Sequence, residues 1–237
     1  MSAPDLRHGE MPELFTRVPE PFASDLDPTA PWGILGETLD RILADLPARE
    51  LLSPIPPGVH LLGDGFHLGE EVVIYPGAVL EAPVWIGRGV TIRPGVYVRG
   101  GAWIGDGCLL GANTEVKRGI LFPGAHAPHL NYVGDSILGS GVNLGAGTIL
   151  SNFRHDGREV MIPVGLGRLA TGRRKLGAIL GEGVKTGCNC VVHPGAVVGR
   201  GTQIYPGVQL RSGIYPVHRV IKLRQQVQTV ALSQAGT

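Results

Sequence analysis

Histidine changes charge near neutral pH, which makes it the first side chain to consider for moving a proton. Eight occur among the 237 residues, and His126, His129 and His155 lie near one another in the chain. Together they raise a zinc site, which needs three or four ligands converging at ~2.0–2.1 Å. No metal is expected. Taken singly, His129 reads as a surface loop histidine, although a histidine has the chemistry of a general base that removes a proton from a nucleophile. Cationic side chains able to grip a phosphate come next. Arg93, Arg99 and Lys117 are candidates, as is the run Arg173, Arg174 and Lys175, although such a run is usually a solvated face. Asn143 and Asn152 can orient a polar acceptor or simply occupy tight turns, which Asn tolerates.

These residues need a scaffold, and composition narrows it. The 21 basic and 20 acidic residues leave a formal net charge of +1, which argues against nucleic acid or an anionic membrane as partner. Charged residues at 17% and hydrophobic residues at 43% exclude a disordered chain. The 37 Gly and 19 Pro argue against a mostly helical one, and no Gly-X-Y period points to collagen. No apolar run reaches the roughly 18 residues of a membrane span, and the polar start at residues 1–10 is no signal peptide. Three Cys residues suit a reducing compartment, so a cytoplasmic location is expected.

An internal repeat then sets the fold. From Leu68 an aliphatic residue recurs every six positions: Ile74, Leu80, Ile86, Ile92, Val98, Ile104, Leu110 and Val116. Three hexads make a stronger repeat of eighteen, with an aliphatic-Gly step at Leu68-Gly69, Ile86-Gly87 and Ile104-Gly105. Such a chain winds into a triangular coil, with the aliphatic side chain inside and Gly at the crowded backbone. Coils stack at ~4.8 Å, as parallel strands do, because one coil cannot bury its own core. The ladder resumes at Leu138, Leu144 and Leu150, and again at Leu180, Val192, Val198, Ile204 and Leu210, with Thr186 as a polar slot. The reading is an all-β solenoid over residues 60–215 with two loop insertions, at about 121–136 and 153–178. Residues 1–59 form an N-terminal extension with a short amphipathic helix at 31–46 and a Pro-rich linker at 53–58. Residues 216–237 form a C-terminal arm or helix. The two helical segments are expected to cap the open ends of the prism. Cys108 and Cys190 fall in small inward slots and pack in the core, whereas Cys188 points outward. Trp85 and Trp103 recur at one place in successive coils and predict a surface aromatic ladder in a subunit contact.

The hexad pattern resembles the hexapeptide-repeat acyltransferases, whose prism is a left-handed parallel β-helix and which assemble as trimers. A narrower resemblance lies in residues 129–157, HLNYVGDSILGSGVNLGAGTILSNFRHDG, followed by TGRRKLG at 171–177. These motifs look like the acetyltransferase half of the bifunctional glucosamine-1-phosphate acetyltransferase/N-acetylglucosamine-1-phosphate uridylyltransferase, and more closely its archaeal-type sugar-phosphate forms. The resemblance implies that His129, opening the His-Leu-x-Tyr motif, is the general base and that Asn152 lies near the amine and the acetyl group. It implies that Tyr132, Asn143 and Lys117 bind the sugar phosphate. Arg93 matches a phosphate-binding arginine by motif and Arg99 matches it by distance from Lys117, which leaves the choice open. Cys188 matches a coenzyme-side position, Arg219 matches a coenzyme contact by position, and Lys175 is a candidate for the coenzyme A phosphates. Two departures stand out. Phe153 replaces the family tyrosine, and the lysine that follows has only Arg158 or Lys175 as counterpart. No nucleotide-binding αβ domain precedes residue 60, so no pyrophosphorylase activity is expected.

The implied activity is acetyl-CoA-dependent N-acetylation of an aminosugar phosphate such as glucosamine 1-phosphate, by a homotrimer and without a metal. Alternatives are an acyltransferase acting on a nucleotide sugar, or a non-catalytic sugar-phosphate-binding partner of a nucleotidyltransferase.

Overall fold

A computed structural model describes residues 10–226 and 228. The hexads wind into a left-handed parallel β-helix with three faces. The first face holds nine strands, from Arg49–Leu51 and Phe66–Leu68 to Gly213–Tyr215. The second starts with Val73–Ile74, Thr91–Ile92, Leu109–Ala112 and His126–His129. It continues through the single bridge residue Asn143 to Lys185–Thr186, Gln203–Ile204 and Val220–Ile221. The third has eight strands, from His60–Leu62 to Gln209–Leu210.

Register explains the repeat. Leu80 stacks on Val98, and Ile86 on Ile104, so each buried slot meets the same slot one coil on. These side chains form one continuous core along the axis, at about 25 cal/mol per Å² of apolar surface removed from water. The coils are close enough that some backbone positions admit no side chain. A Cβ on Gly111 would sit 1.4 Å from the carbonyl oxygen of Pro128.

Several expectations need correction. Residues 121–136 are no insertion: Ile120–Leu121, His126–His129 and Tyr132–Gly134 form an ordinary coil. The steps Val116 to Leu121 and Val133 to Leu138 are five residues rather than six, and Ala127 fills the buried slot between them. The second insertion is real. It carries an antiparallel hairpin of Met161–Val164 and Gly167–Ala170. The solenoid also starts earlier than residue 60, since Arg49–Leu51 pairs with Phe66–Leu68. It ends later, at Val220–Ile221. No helix occurs among the described residues of 217–226, and the rest of the expected C-terminal helix lies outside the described residues.

The N-terminal segment does not cap an end. It forms a short helix at Glu20–Ala23, a 3₁₀ turn at Pro31–Leu35 and a helix at Glu37–Ala44. All three lie along the flank of the first face. The outward residues of that face make an apolar column: Trp85, Trp103, Ile120, Ile137, Ile179, Val197 and Ile214. Phe22, Trp32, Ile34, Leu35, Leu39 and Leu43 bury themselves against it. The tryptophan ladder exists, with Trp85 and Trp103 stacked at 4.7 Å. Its lower member is covered by the chain's own Phe22, edge-on at 5.1 Å, so Trp103 is buried rather than offered to a partner. No helix among the described residues is long and apolar enough to cross a membrane.

Candidate active site

The third face gathers most of the residues singled out by sequence. Within each strand the middle residue points inward: Val98, Val116 and Val133 are buried. The flanking residues point outward and stack in register. One outward column holds Tyr97, Glu115, Tyr132 and Ile149, and the other holds Arg99, Lys117 and Gly134. Arg99 therefore lies directly beside Lys117, with its Nη1 3.3 Å from Glu115 Oε1. Arg93 sits elsewhere, beyond the second-face strand Thr91–Ile92 and over the Tyr75 ring at 5.1 Å. It does not join the Lys117 column.

Lys117 is held by a carboxylate that the sequence reading passed over. Asp135 is buried, and its Oδ2 lies 3.4 Å from Lys117 Nζ. The same oxygen accepts a hydrogen bond from Asn152 Nδ2 at 2.5 Å. The Asn152 amide and the Tyr132 ring lie together beside Gly134. Burial pushes the Tyr132 phenol above its ordinary range, the Glu115 and Asp135 charges push the same way, and the Asn152 amide opposes them. Gly134 leaves room for this cluster, since a Cβ there would meet the Tyr132 ring at 2.7 Å and the Asn152 amide at 2.8 Å.

His129 occupies the corner between the second and third faces, opposite Ala112 of the preceding coil. Its ring is exposed and has no hydrogen-bond partner among the described residues. Its backbone is tightly fixed: the N–H donates to Asn131 Oδ1 at 3.1 Å, and the carbonyl accepts from the Gly147 N–H at 3.0 Å. Asn131 is buried and also donates to the Gly145 carbonyl at 2.8 Å. It sets the turn that separates His129 from Tyr132. The only hint of this in the sequence is an Asn inside the His-Leu-x-Tyr motif.

Asn143 lies on the second face between His126 and Lys185, away from the Lys117–Asn152 cluster. The polar slot Thr186 has a clear task, because its Oγ1 accepts from the Gly145 N–H at 2.9 Å and pairs with Thr148 at 2.8 Å. Of the glycine-rich corner 145–147, Gly145 and Gly147 thus spend their N–H groups inside the chain. The Ala146 N–H has no protein acceptor among the described residues.

The three coenzyme candidates do not converge within one chain. Exposed Cys188 shares the corner of His129, as the backbone bonds Gly147 to His129 and Asn189 to Ala146 show. Exposed Lys175 bridges Phe153 at the other edge of the third face, beside Asn152. Exposed Arg219 leads into the last second-face strand, its N–H bonded to Thr202. The rest of the basic run is only partly solvated, with Arg174 exposed. Arg173 is half-buried and, with Arg118, donates to the Leu35 carbonyl at 3.3 and 3.0 Å. Burial and the Arg118 charge pull the Arg173 guanidinium below its usual range. Arg174 donates to the Gly157 carbonyl at 2.9 Å. Arg118 also pairs with Asp40 at 2.7 Å, which ties the N-terminal helix to the residue next to Lys117.

Further along the third face, under the hairpin, lies a cleft of about 740 Å³ lined by Phe153, Arg154, His155, His193 and Arg211. Among the described residues no three His, Cys, Asp or Glu side chains group as a metal site.

Comparison with known proteins agrees with this architecture. The family "Bacterial transferase hexapeptide (six repeats)" matches residues 65–100, 83–118 and 177–212. A bifunctional sugar-1-phosphate nucleotidylyltransferase/acetyltransferase of Sulfurisphaera tokodaii is 47% identical over 98 residues, covering 41% of this chain and 24% of that protein. The bifunctional protein GlmU of Methanococcus maripaludis strain C5 is 37% identical over 120 residues, 51% of this chain and 29% of that protein. The chain thus spans about a quarter of the length of these relatives. Among solved structures, a point mutant of AntD, an N-acyltransferase from Bacillus cereus in complex with dTDP and coenzyme A, is 19% identical. It covers 62% of this chain and 77% of that one with a TM-score of 0.37, too loose a likeness to carry an argument.

Proposed function

We propose that this hexapeptide-repeat chain, which resembles the acetyltransferase region of those bifunctional proteins, transfers acetyl from acetyl-CoA to the amine of an aminosugar phosphate. Glucosamine 1-phosphate is the first candidate acceptor. The observation that carries this reading is the stacking of Arg99, Lys117, Tyr132 and Asn152 on one face, one corner away from His129. Arg99 and Lys117 supply the donors a phosphate needs. Asn152 and Tyr132 supply polar groups for the sugar and its amine.

The chemistry follows from the acceptor. An aminosugar amine is largely ammonium at neutral pH and has no lone pair to attack a thioester. His129 takes that proton, and the amine nitrogen then bonds to the acetyl carbon. The tetrahedral oxyanion needs a preorganised donor, and the Ala146 N–H, at the same corner as His129, is the group left for it. The C–S bond breaks as the carbonyl reforms, the imidazolium returns a proton to the leaving thiolate, and the second proton still on the amide nitrogen passes to solvent. Cys188 lies along the same corner and would flank the donor, with Lys175 and Arg219 reaching it from neighbouring copies. An exposed His129 without a partner among the described residues fits a site completed between copies of a closed trimer. Asn143, on the adjacent face, would then meet the acceptor from the next copy.

A nucleotide sugar is the second reading. The cleft beside Phe153, with Arg154, His155, His193 and Arg211, leaves room on the same face for a second charged group. A thiol-release assay with acetyl-CoA separates the two readings when aminosugar 1-phosphates and their nucleotide-linked forms are supplied side by side. We expect the highest kcat/KM for a simple aminosugar phosphate. Preference for a nucleotide-linked acceptor would favour the second reading. Binding of either without thiol release would make the chain a sensor.

A further inference from the structure

We infer that Asp135 is a positioning residue for the acceptor site, fixing at once the position of the Lys117 side chain and the orientation of the Asn152 amide. The inference rests on the acyl-transfer reading for its catalytic consequence, and on geometry alone for the rest.

Asp135 sits at the corner after the third-face strand Tyr132–Gly134, and its side chain is 3% exposed. A carboxylate left alone at that depth would be strongly unfavourable. Here one oxygen faces two donors, Lys117 Nζ at 3.4 Å and Asn152 Nδ2 at 2.5 Å. The backbone holds the residue in place: its N–H donates to the Lys117 carbonyl, and its carbonyl accepts from the Gly177 N–H, both at 2.8 Å. Asp135 is therefore clamped between the coil that carries Lys117 and the chain that returns from the hairpin.

An ionised carboxylate only accepts hydrogen bonds, so Asn152 must turn its NH₂ toward Asp135. Its carbonyl oxygen is then directed away from Asp135, where it can accept a hydrogen bond from an incoming amine. A neutral partner at 135 would accept either amide orientation and lose this polarity. Lys117 is likewise not a loose surface cation. Its side chain is 20% exposed and is drawn onto the face by Asp135, next to Arg99 in the same column. Asp135 thus sets where the phosphate-binding charge stands and which way the amine-orienting amide points.

The substitution Asp135→Asn keeps the shape and removes the charge. Two measurements on the full chain test it, with Glu71→Gln as a control at an exposed ion pair outside the cluster. The first is amine labelling with acetic anhydride, mapped by mass spectrometry. Without its carboxylate the Lys117 amine is released, and its labelling rises severalfold relative to Lys185 and Lys222. Unchanged Lys117 labelling would overturn the inference whether or not the chain proves to be an enzyme. The second is steady-state thiol release. Misplacing both groups lowers kcat/KM roughly 10- to 100-fold. That loss is divided between a higher KM for the phosphorylated acceptor and a lower kcat, with the KM for acetyl-CoA unchanged. A wild-type chain with no thiol release on any acceptor sinks the acyl-transfer reading and leaves the labelling result standing. An active wild type with an Asp135→Asn variant of equal kcat and KM sinks the positioning role.

Discussion

At the scale of single residues, burial separates three cysteines of identical chemistry. Cys108 lies in the core, and burial pushes its thiol up to about 12. Burial raises Cys190 as well, while Cys188 is exposed at the corner of His129. The thiolate is the reactive form, so Cys108 stays protonated and shielded. At about pH 8 a disulfide reagent is expected to label Cys188 and spare the other two until the chain is unfolded. Saturating acetyl-CoA should slow that labelling, because the donor is placed along the same corner. An unchanged rate would remove Cys188 from the donor side. Sequence showed which way these cysteines point because their slots in the hexad are unambiguous. It did not show Asp135, since a Gly-Asp pair after a strand reads as an ordinary turn. Only three-dimensional stacking brings Asp135 between Lys117 and Asn152, which precede and follow it by 18 and 17 residues. Stacking likewise sets Arg99 apart from Arg93, two arginines that the sequence left undecided.

At the scale of elements, the nine evenly spaced aliphatic slots made the solenoid legible from the start. What hid the coil at 121–136 was arithmetic. Two five-residue steps broke the phase, and Ala127 is too small to register as an aliphatic slot. The role of the N-terminal segment was hidden for another reason. Its helical spacing reveals an apolar stripe but not what that stripe covers. The answer lies in the residue just before each first-face slot, where Ile120, Ile137, Ile179 and Val197 extend the column begun by the tryptophans. This packing predicts that Leu39→Ala destabilises the chain by about 2–5 kcal/mol, as for other buried leucines. Leu39 is fully buried against that column. Because Arg118 reaches both Leu35 and Asp40, loosening the helix should also disturb the neighbouring Lys117. Denaturant unfolding checks the first effect, and a loss below about 0.5 kcal/mol would mean that the segment is only loosely docked.

At the scale of the whole molecule, one chain presents the proposed acceptor face and the His129 corner. The coenzyme candidates Cys188, Lys175 and Arg219 occupy separate places on the prism. A closed three-fold assembly would bring the corner of one copy against the face of the next. With Trp103 covered by Phe22, that assembly must rest on the second and third faces rather than on the tryptophan ladder. The central claim joins assembly to chemistry: His129 is the base of an acyl transfer carried out by a trimer. The most direct measurement is the kcat of His129→Ala on the best acceptor, with the assembly state of both proteins fixed by sedimentation. The account predicts trimers in both cases, with kcat lowered ~10²- to 10⁴-fold in the variant. A trimeric His129→Ala chain with near-normal kcat, or a fully active monomer, would contradict it.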